Sequence, residues 1–301
     1  MNPVLVVGSV ALDTVETPGA RRDSVLGGSA TFFALSARRF APVRLVGVVG
    51  QDFPPEHRRL LESGGIDLEG LQVAPRPTFR WHGRYDAALA GRETVSVDLE
   101  ILDLFRPELP ESYRDSKYVL LGNTSPKVQA VVLGQLRDPK FVLLDSMNVW
   151  IQTERDGLMA LLPRVSALCL DATEARMLAN TSSVAAAVRA LLGSGLRCLI
   201  VKRGEHGSSI HTKSFTFAAP AFPTENVVDP TGAGDAFAGG LLGSLAKSGL
   251  DDERLKKALL HGAVMGSLAV ESFGPDRLVE AKDGEISGRY LELVRMISLQ
   301  T

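Results

Sequence analysis

The sequence has few cysteines, few aromatic residues and little net charge. Of the 301 residues only two are cysteine, and Cys169 and Cys198 both lie in apolar, strand-like runs. They are therefore expected to be small buried hydrophobic residues of a reducing compartment, rather than a disulfide or a pair of metal ligands. A formal net charge of -2 predicts no basic surface for nucleic acid. The five histidines do not have zinc-like spacing.

Long apolar runs and targeting signals are also missing from the sequence. No stretch reaches the length of a membrane span, which argues against a membrane protein. The first residues lack the basic start and cleavage site of a signal peptide and are typical of a buried strand. Neither G-x-x-x-x-G-K-[ST] nor a G-x-G-x-x-G after the first strand occurs. These absences favour a cytoplasmic enzyme and disfavour both a P-loop kinase and a dinucleotide-dependent dehydrogenase.

Short apolar runs alternate with helical patterns along most of the chain. The strand candidates are 4–10, 43–49, 118–121, 141–144, 167–170 and 198–201. The helix candidates are 29–40, 55–63, 126–136, 153–162, 184–192, 232–247, 254–272 and 287–297. Apolar strands separated by helices predict an α/β fold with a central, mostly parallel sheet and helices on both faces. The length fits one large domain over residues 1–301.

One region departs from this alternation. Residues 78–98 alternate polar and apolar side chains and include several aromatic residues, which predicts a two-stranded ribbon with one exposed face. Together with a segment at about 12–25, the stretch 74–98 is expected to form a small β lid. Ligands of open α/β sheets bind beyond the carboxyl ends of the strands, so the lid would close over that edge.

The most informative stretch is Asp229-Pro230-Thr231-Gly232-Ala233-Gly234-Asp235, directly before an apolar helical segment. Small residues there leave backbone N–H groups bare at a helix N-terminus, where unpaired donors and the helix dipole attract phosphate. A carboxylate at the edge of such a site, here Asp235, can take the proton of a hydroxyl that attacks a phosphoryl group. A glycine-rich loop that only caps a core helix is the alternative, and the density of such residues argues against it.

This stretch resembles the signature of the ribokinase-like (PfkB) family of small-molecule kinases. The resemblance implies that Asp235 is the catalytic base. The amides of an anion hole would come from three neighbours, Gly232, Ala233 and Gly234. A monovalent cation, K⁺, would lie near Asp229 and Thr231, with Thr231 also on the nucleotide side. Family members cover the substrate with a β lid. Whether two copies of this chain form a homodimer through that lid is left undecided by the sequence.

The acceptor is expected to meet residues that follow the first strands. Asp13 corresponds to a family aspartate that holds substrate hydroxyls, and a loop aspartate satisfied by local backbone is the alternative. Gly27 and Gly28 resemble the family's substrate-contacting glycine pair; a simple turn with Ser29 as helix cap is the alternative. Asn123 follows another strand, as a turn residue or a ligand contact.

The sequence departs from the family pattern at two positions. Many sugar kinases of the family have asparagine four residues after the second glycine of the pair and two residues before the lid aspartate. This chain has Phe32 and Ala11 there, so two hydroxyl-binding amides are missing and a plain ribokinase or fructokinase is disfavoured. Phe32 would offer an apolar wall to a nucleobase or to the C–H face of an inositol. The Gly-Gly-x-Ala-x-Phe form resembles that of the family's myo-inositol kinases.

Two further loops are expected on the nucleotide side. Asp171 and Glu174 resemble the family's Asn-x-x-Glu, with aspartate in place of asparagine, and imply Mg²⁺ held mainly through water. A helix capping box is the alternative, and both roles can coexist. The stretch Lys202-Arg203-Gly204-Glu205-His206-Gly207 resembles the family's nucleotide-binding turn. The resemblance implies that Lys202 lies on the nucleotide side and that Gly204 and Gly207 let ATP approach. A plain β-turn is the alternative.

Two other positions stay open between a structural and a binding role. His261 lies on a helix with small residues on its faces, which suits packing against adenine and equally suits tight helix–sheet packing. The stretch Asp145-Ser146-Met147-Asn148 matches the family's Asp-x-Asn loop in part, as a structural or a substrate-facing segment.

These features predict a kinase that uses ATP and Mg²⁺ to phosphorylate a hydroxyl of a small sugar or an inositol-like cyclitol. A nucleoside kinase of the adenosine type is the alternative, suggested by Phe32, Phe33 and the aromatic lid. A ligand sensor that kept the fold without catalysis is a third hypothesis, and the intact Asp235 argues against it.

Overall fold

A computed structural model describes residues 2–89 and 91–298, so Met1, Ala90 and residues 299–301 of the expected domain lie outside the described residues. The strands are β1 (Val4–Val7), β2 (Ala11–Thr17), β3 (Ala20–Gly27), β4 (Val43–Gly50), β5 (Ile66–Ala74), β6 (Arg80–Tyr85), β7 (Arg92–Asp98), β8 (Tyr118–Leu121), β9 (Phe141–Asp145), β10 (Ala167–Asp171), β11 (Cys198–Lys202), β12 (Ser208–Thr212) and β13 (Thr216–Ala219). The helices are α1 (Ser29–Ala37), α2 (Pro55–Ser63), α3 (Pro126–Gln135), α4 (Asn148–Thr153), α5 (Arg155–Leu161), α6 (Ala172–Leu178), α7 (Val184–Gly193), α8 (Ala233–Ser248), α9 (Asp252–Ala269), α10 (Asp276–Glu280) and α11 (Asp283–Ile297).

Nine strands form one large sheet in the order β13-β12-β11-β10-β9-β8-β1-β4-β5. All neighbouring pairs from β11 to β5 are parallel, and β12 and β13 extend the β11 edge in antiparallel fashion. The expected mostly parallel α/β sheet is thus confirmed. Because parallel strands end at the same edge, the residues that follow β1, β8, β9, β10 and β11 lie along one rim of the sheet.

Helices cover both faces of this sheet, as expected. Successive residues of β1 belong to two different cores, because side chains alternate across a strand. Val4 and Val6 belong to the core that includes α1, α8 and α9, whereas Leu5 and Val7 belong to the core that includes α3, α5 and α7. All four side chains are at most 1% exposed. Burial on both faces explains why these strands are apolar throughout.

A second sheet of four strands has the order β3-β2-β6-β7. Strands β2 and β6 are parallel, and the two outer pairs are antiparallel. The expected first strand over 4–10 is interrupted, since β1 ends at Val7 and β2 begins at Ala11 in the other sheet. Gly8 marks the break, and a Cβ there would lie 2.7 Å from Oγ of Ser29. The small sheet is therefore attached directly to the rim of the large one.

The two cysteines are buried and free, as predicted, and burial raises the pKa of each thiol to about 12. Among the helices that the structure describes, none combines the length and the apolar character needed to cross a bilayer.

Candidate active site

The N-terminus of α8 lies at the rim of the large sheet and is open to an anion. The helix begins at Ala233 after Gly232, and no side chain caps its first turn. Gly232 has φ 75°, a left-handed backbone that favours glycine. N–H groups without a side-chain cap and the helix dipole make this helix end suited to an anion, although the Ala233 N–H also lies 3.3 Å from the Pro230 carbonyl. Asp235 lies in this first turn and is partly exposed.

Burial raises the pKa of Asp235 to about 7. The charge of Asp145 adds to this increase, whereas the charges of Lys202 and Arg92 oppose it. A carboxyl group with a pKa near neutrality is well suited to take a proton from a hydroxyl and to release it afterwards.

Phe32 lies beneath this loop, and its expected role is corrected by the structure. The ring is only 1% exposed, and a Cβ on Gly232 would overlap its carbon atoms. The backbone of Gly232 therefore packs directly against the ring. Phe32 has no open face for a ligand, so it cannot be the apolar wall expected for the acceptor. It supports the anion-binding loop from below.

Asp13 points an unsatisfied oxygen into the interior beside this loop. Its side chain is 4% exposed, and Oδ1 has no hydrogen-bond partner among the described residues. Burial raises the pKa of Asp13 to about 8, and the charges of Asp229 and Asp235 add to the increase. An unsatisfied buried oxygen is costly unless a ligand or water bonds to it. A ligand hydroxyl would satisfy Oδ1.

The glycine pair before α1 makes room for protein atoms. A Cβ on Gly27 would collide with the carboxylate of Asp13, and one on Gly28 would collide with the backbone of Ser9. The N-cap of α1 is Gly28, so the suggestion that Ser29 caps this helix is wrong. Oγ of Ser29 instead accepts a hydrogen bond from the N–H of Ser9 at 3.2 Å. Contact of the glycines with substrate stays a prediction.

Asn123 follows β8, the strand next to β1, and is held by an aromatic residue that sequence analysis missed. The indole N–H of Trp150 donates to Oδ1 of Asn123 at 2.8 Å. Both side chains are half-buried. The bond places Trp150 near the carboxyl end of β8, at the rim of the large sheet. The sequence contained no local signal for this pair, because the two residues are 27 positions apart.

Asp171 and Glu174 form the capping box that was the alternative to a metal site. Oδ1 of Asp171 accepts from the N–H groups of Thr173 at 2.6 Å and Glu174 at 2.7 Å, and Oε2 of Glu174 accepts from the Asp171 N–H at 2.8 Å. Burial raises the pKa of Glu174 to about 7, which the charge of Lys202 opposes. The box uses only Oε2 of Glu174, so Oε1 is available to a hydrated cation.

Lys202 ends β11 and reaches the start of α8. Its Nζ lies 3.5 Å from Oδ2 of Asp145, and a Cβ on Gly234 would lie 3.0 Å from the same nitrogen. Burial alone would lower the pKa of Lys202, but the charges of Asp145, Glu174 and Asp235 raise it well above its usual value. Asp145 is itself 4% exposed, whereas Asn148 at the other end of its stretch is exposed, so a substrate-facing role of the stretch stays a prediction.

The turn after Lys202 has a clear structural role. The Arg203 N–H donates to the Gly207 carbonyl at 2.8 Å, and a Cβ on Gly207 would collide with the Ala219 carbonyl of β13. The turn that contains Gly204 therefore satisfies the plain β-turn alternative, and its contact with ATP stays a prediction.

His261 lies away from the anion site. Its ring stacks on Tyr290 at 4.3 Å and meets Phe40 edge-on at 5.0 Å, and burial lowers its pKa to about 4. Its carbonyl faces Gly240, which is roughly 10 Å along α8 from the start of the helix. These contacts give His261 a role in helix packing, and its contact with adenine stays a prediction.

Asp229 and Thr231 connect the loop before α8 to the small sheet. Asp229 is 1% exposed, its Oδ1 accepts from the Thr231 N–H at 2.8 Å, and Oδ2 lacks a hydrogen-bond partner within residues 2–89 and 91–298. Burial raises the pKa of Asp229, and the bonds from Thr231 oppose the increase. A monovalent cation at this buried oxygen stays a prediction. No group of three or more His, Cys, Asp or Glu side chains in the described ranges forms a metal site.

The small sheet contributes two residues that sequence analysis did not single out. The hydroxyls of Tyr85 and Thr231 lie 3.0 Å apart. Arg92 is the cross-strand partner of Tyr85, and its guanidinium lies 5.2 Å from the ring centre of Trp81. The positive charge of Arg92 opposes the increased pKa of both Asp13 and Asp235. The only sign of Tyr85 and Arg92 in the sequence was the alternation of polar and apolar side chains in the predicted ribbon.

Comparison with known proteins finds similarity over nearly the whole chain. The family model described as pfkB family carbohydrate kinase matches residues 3–282. A cytidine kinase of Thermococcus kodakarensis is 32% identical over 254 residues, which cover 82% of this chain and 90% of that protein. An inositol 3-kinase of Arabidopsis thaliana is 25% identical over 293 residues, which cover 90% of this chain and 74% of that protein.

The fold also matches a solved structure. A nucleoside kinase of Burkholderia thailandensis, in complex with inosine, superimposes with a TM-score of 0.81 over 96% of this chain and 97% of that one, at 21% identity. The likeness confirms the fold, and the family match extends over nearly all of the sequence. The chain therefore belongs to the pfkB family of carbohydrate kinases and is a phosphotransferase that acts on a hydroxyl group of a sugar or a nucleoside.

Proposed function

We propose that this protein transfers the γ-phosphoryl group of ATP to a hydroxyl of a nucleoside. The observation that carries the proposal is the position of Asp235 in the first turn of α8, at an uncapped helix end and electrostatically coupled to Asp13. Asp13 would hold the ring hydroxyls through its unsatisfied Oδ1, while Asp235 faces the hydroxyl that reacts. The helix end would bind the phosphoryl group between them.

The reaction is a direct transfer between two oxygens. Asp235 takes the proton of the acceptor hydroxyl as that oxygen bonds to the γ-phosphorus, and the bond from phosphorus to the β-phosphate oxygen breaks to release ADP. The transition state is loose, so positioning and electrostatic stabilisation supply most of the rate. The backbone amides of Gly232, Ala233 and Gly234 would stabilise charge on the transferred group.

Two cations fit the residues at the rim. Mg²⁺ prefers oxygen ligands and usually keeps several waters, so the free Oε1 of Glu174 suits a water-mediated contact while the nucleotide supplies the other oxygens. When bound, the ion neutralises charge on the phosphate oxygens. Asp171 would act through the same water shell. K⁺ would suit the unpaired Oδ2 of Asp229, next to Thr231.

The acceptor side of the rim supports a nucleoside over a simple sugar. The half-buried indole of Trp150, fixed by its bond to Asn123, offers an aromatic surface near the carboxyl end of β8, the strand next to β1. Such surfaces stack well on nucleobases. The relative that is 32% identical is a cytidine kinase, which supports the same class of acceptor. A cyclitol is the second candidate, supported by the 25% identity to an inositol 3-kinase.

The four-stranded sheet would act as the lid of this site. Tyr85 bonds to Thr231 at 3.0 Å, so the sheet already contacts the loop that precedes α8. Arg92, on the neighbouring strand, would bring a positive charge toward the acceptor and the phosphoryl group. Closure over the rim would exclude water from ATP and so limit its hydrolysis.

A screen of acceptors tests the proposed function. ADP release is measured with Mg·ATP and, in turn, cytidine, other nucleosides, myo-inositol, ribose and fructose. We expect a nucleoside to give the highest kcat/KM and ribose and fructose to be poor acceptors. If myo-inositol is best, the nucleoside proposal is wrong and the cyclitol candidate replaces it. If nucleosides bind while ATP is never consumed, the protein is a sensor and the catalytic proposal fails.

Glu174→Gln separates the metal role from the capping role. Glutamine at this position can still accept the bond from the Asp171 N–H, because both residues serve in capping boxes. We expect the Mg²⁺ concentration for half-maximal activity to rise several-fold while the melting temperature changes little. The comparison variant Glu174→Ala should lose about 1 kcal/mol of stability as well, the typical magnitude for capping interactions. An unchanged Mg²⁺ dependence in Glu174→Gln would assign this residue to capping alone.

A further inference from the structure

Lys202 places a half-buried ammonium group at the positive end of a helix. It is the last residue of β11 and shares a sheet face with Ile200, the face on which α8 packs. Gly234 is the second residue of α8, and a Cβ there would lie 3.0 Å from Nζ. The N-terminus of a helix carries a partial positive charge, so it repels an ammonium group. This placement is unfavourable unless anions lie close to both groups.

The carboxylates of the protein satisfy this ammonium group only in part. Oδ2 of Asp145 lies 3.5 Å from Nζ, which is longer than the distance of about 2.7–2.9 Å in a charge-assisted hydrogen bond. In the part of the chain that the structure describes, no other carboxylate oxygen lies within salt-bridge distance of Nζ. An ammonium group has three donors. Lys202 therefore has donors available for a further acceptor.

The position of Lys202 indicates which part of a nucleotide supplies this acceptor. Gly234 directly precedes Asp235, and a general base must lie within hydrogen-bond reach of the hydroxyl that attacks phosphorus. A group next to Gly234 is thus at the reacting end of the nucleotide. The plain turn that contains Gly204 and Gly207 lies farther along the chain, beyond the end of β11.

We propose that Lys202 is a catalytic residue whose ammonium group contacts the transferred γ-phosphoryl group at the N-terminus of α8. The inference rests on the proposed kinase function. A phosphoryl group bound beside both Gly234 and Lys202 is attracted by the helix end and by the ammonium group, so two positive groups that repel each other hold one anion. In the loose transition state the charge lies on the equatorial oxygens of this group, and Lys202 stabilises it without losing its own proton.

Asp145 acts as the positioning residue of this lysine. Its side chain is 4% exposed, and its Oδ1 accepts from the Ser146 N–H at 2.9 Å, so the carboxylate is fixed. The fixed carboxylate keeps Nζ near Gly234, and preorganised charge of this kind loses little free energy to reorganisation during the reaction.

Nucleotide binding to Lys202→Met tests the contact without turnover. Calorimetry compares Mg²⁺ with AMP-PNP, which has a γ-phosphoryl group, and Mg²⁺ with ADP, which lacks one. We expect affinity for AMP-PNP to fall about tenfold or more, the range of a hydrogen bond to a charged group, and affinity for ADP to change less than threefold. In the assay with the best acceptor, kcat should fall about a hundredfold. Lys213→Met, the same change at an exposed position between β12 and β13, should affect neither.

A second variant guards against misfolding. Lys202→Met leaves Asp145 buried without its partner, so K202M/D145N, with a neutral pair, is measured in parallel. An equal loss for AMP-PNP and ADP would assign Lys202 to the shared part of the nucleotide and overturn the proposal, as would unchanged affinity for both. A wild-type protein that binds AMP-PNP more tightly than the variants but phosphorylates no acceptor would contradict the proposed function and leave the Lys202 contact in place.

Discussion

Asp235→Asn is expected to lower kcat by about a hundredfold to ten-thousandfold, the usual contribution of a general base, while ATP binding stays nearly unchanged. The amide cannot accept the proton of the acceptor hydroxyl, but it is close in size to the carboxyl group that lies in the first turn of α8. Steady-state ADP release with the best acceptor gives kcat, and calorimetry gives the affinity for the nucleotide. Retention of more than a tenth of the wild-type kcat would contradict the role of Asp235.

The same residue predicts a pH profile. The pKa of Asp235 is raised to about 7, mainly by burial and further by Asp145, while Lys202 and Arg92 oppose the shift. The base is active only when deprotonated, so kcat/KM should increase as pH rises through about 7 and level off above it. Asp235→Asn should flatten this rise and leave only the weaker pH dependence of Asp13 and Glu174, whose pKa values are also raised. Asp138→Asn serves as the control. This exposed aspartate precedes β9 and pairs with Lys117, which precedes β8, so it lies at the opposite end of the strands from the site.

The parts of the fold that were predictable are those whose burial is uniform. Strands such as Phe141–Asp145 and Cys198–Lys202 are covered on both faces and therefore read as apolar runs. Strands β5 and β12 were missed because solvent on one face, or a polar composition, interrupts that pattern. The helix expected at 153–162 is present as α5, but the preceding helix α4 was not predicted, and Glu154 separates the two with φ -132° and ψ 35°. A change in one residue's backbone leaves no periodic signal.

In the candidate site, too, features formed by sequence neighbours were predictable, whereas contacts between distant residues were not. The anion-binding start of α8 was predictable because its glycines and Asp235 are neighbours in the sequence. The position of Phe32 was not, because all nine residues of α1 are buried and no polar face indicates which side meets a ligand. Contacts such as Tyr85 with Thr231 join residues 146 positions apart. Only the packing of the two sheets brings such residues together.

Gly232→Ala is expected to have the second large effect, because one methyl group would disturb both the anion-binding loop and its support. The φ of 75° at Gly232 is strained for alanine, at a cost of about 1–3 kcal/mol of stability. The new Cβ would also overlap the ring of Phe32, so the loop must shift. Loss of one anion-hole donor typically lowers kcat by about a hundredfold to a thousandfold. Thermal unfolding and ADP release measure the two effects.

Gly193→Ala is the matched control, since a Cβ there meets nothing within 4 Å and alanine favours the helix. It should leave kcat unchanged and stability equal or slightly higher. The double variant Gly232→Ala/Phe32→Leu tests the contact itself. If the ring is what the new Cβ meets, leucine should restore part of the lost kcat, although the strained φ remains, so the two changes will not be additive. Additive losses in the double variant would mean that backbone strain alone displaces the loop and that Phe32 does not support it.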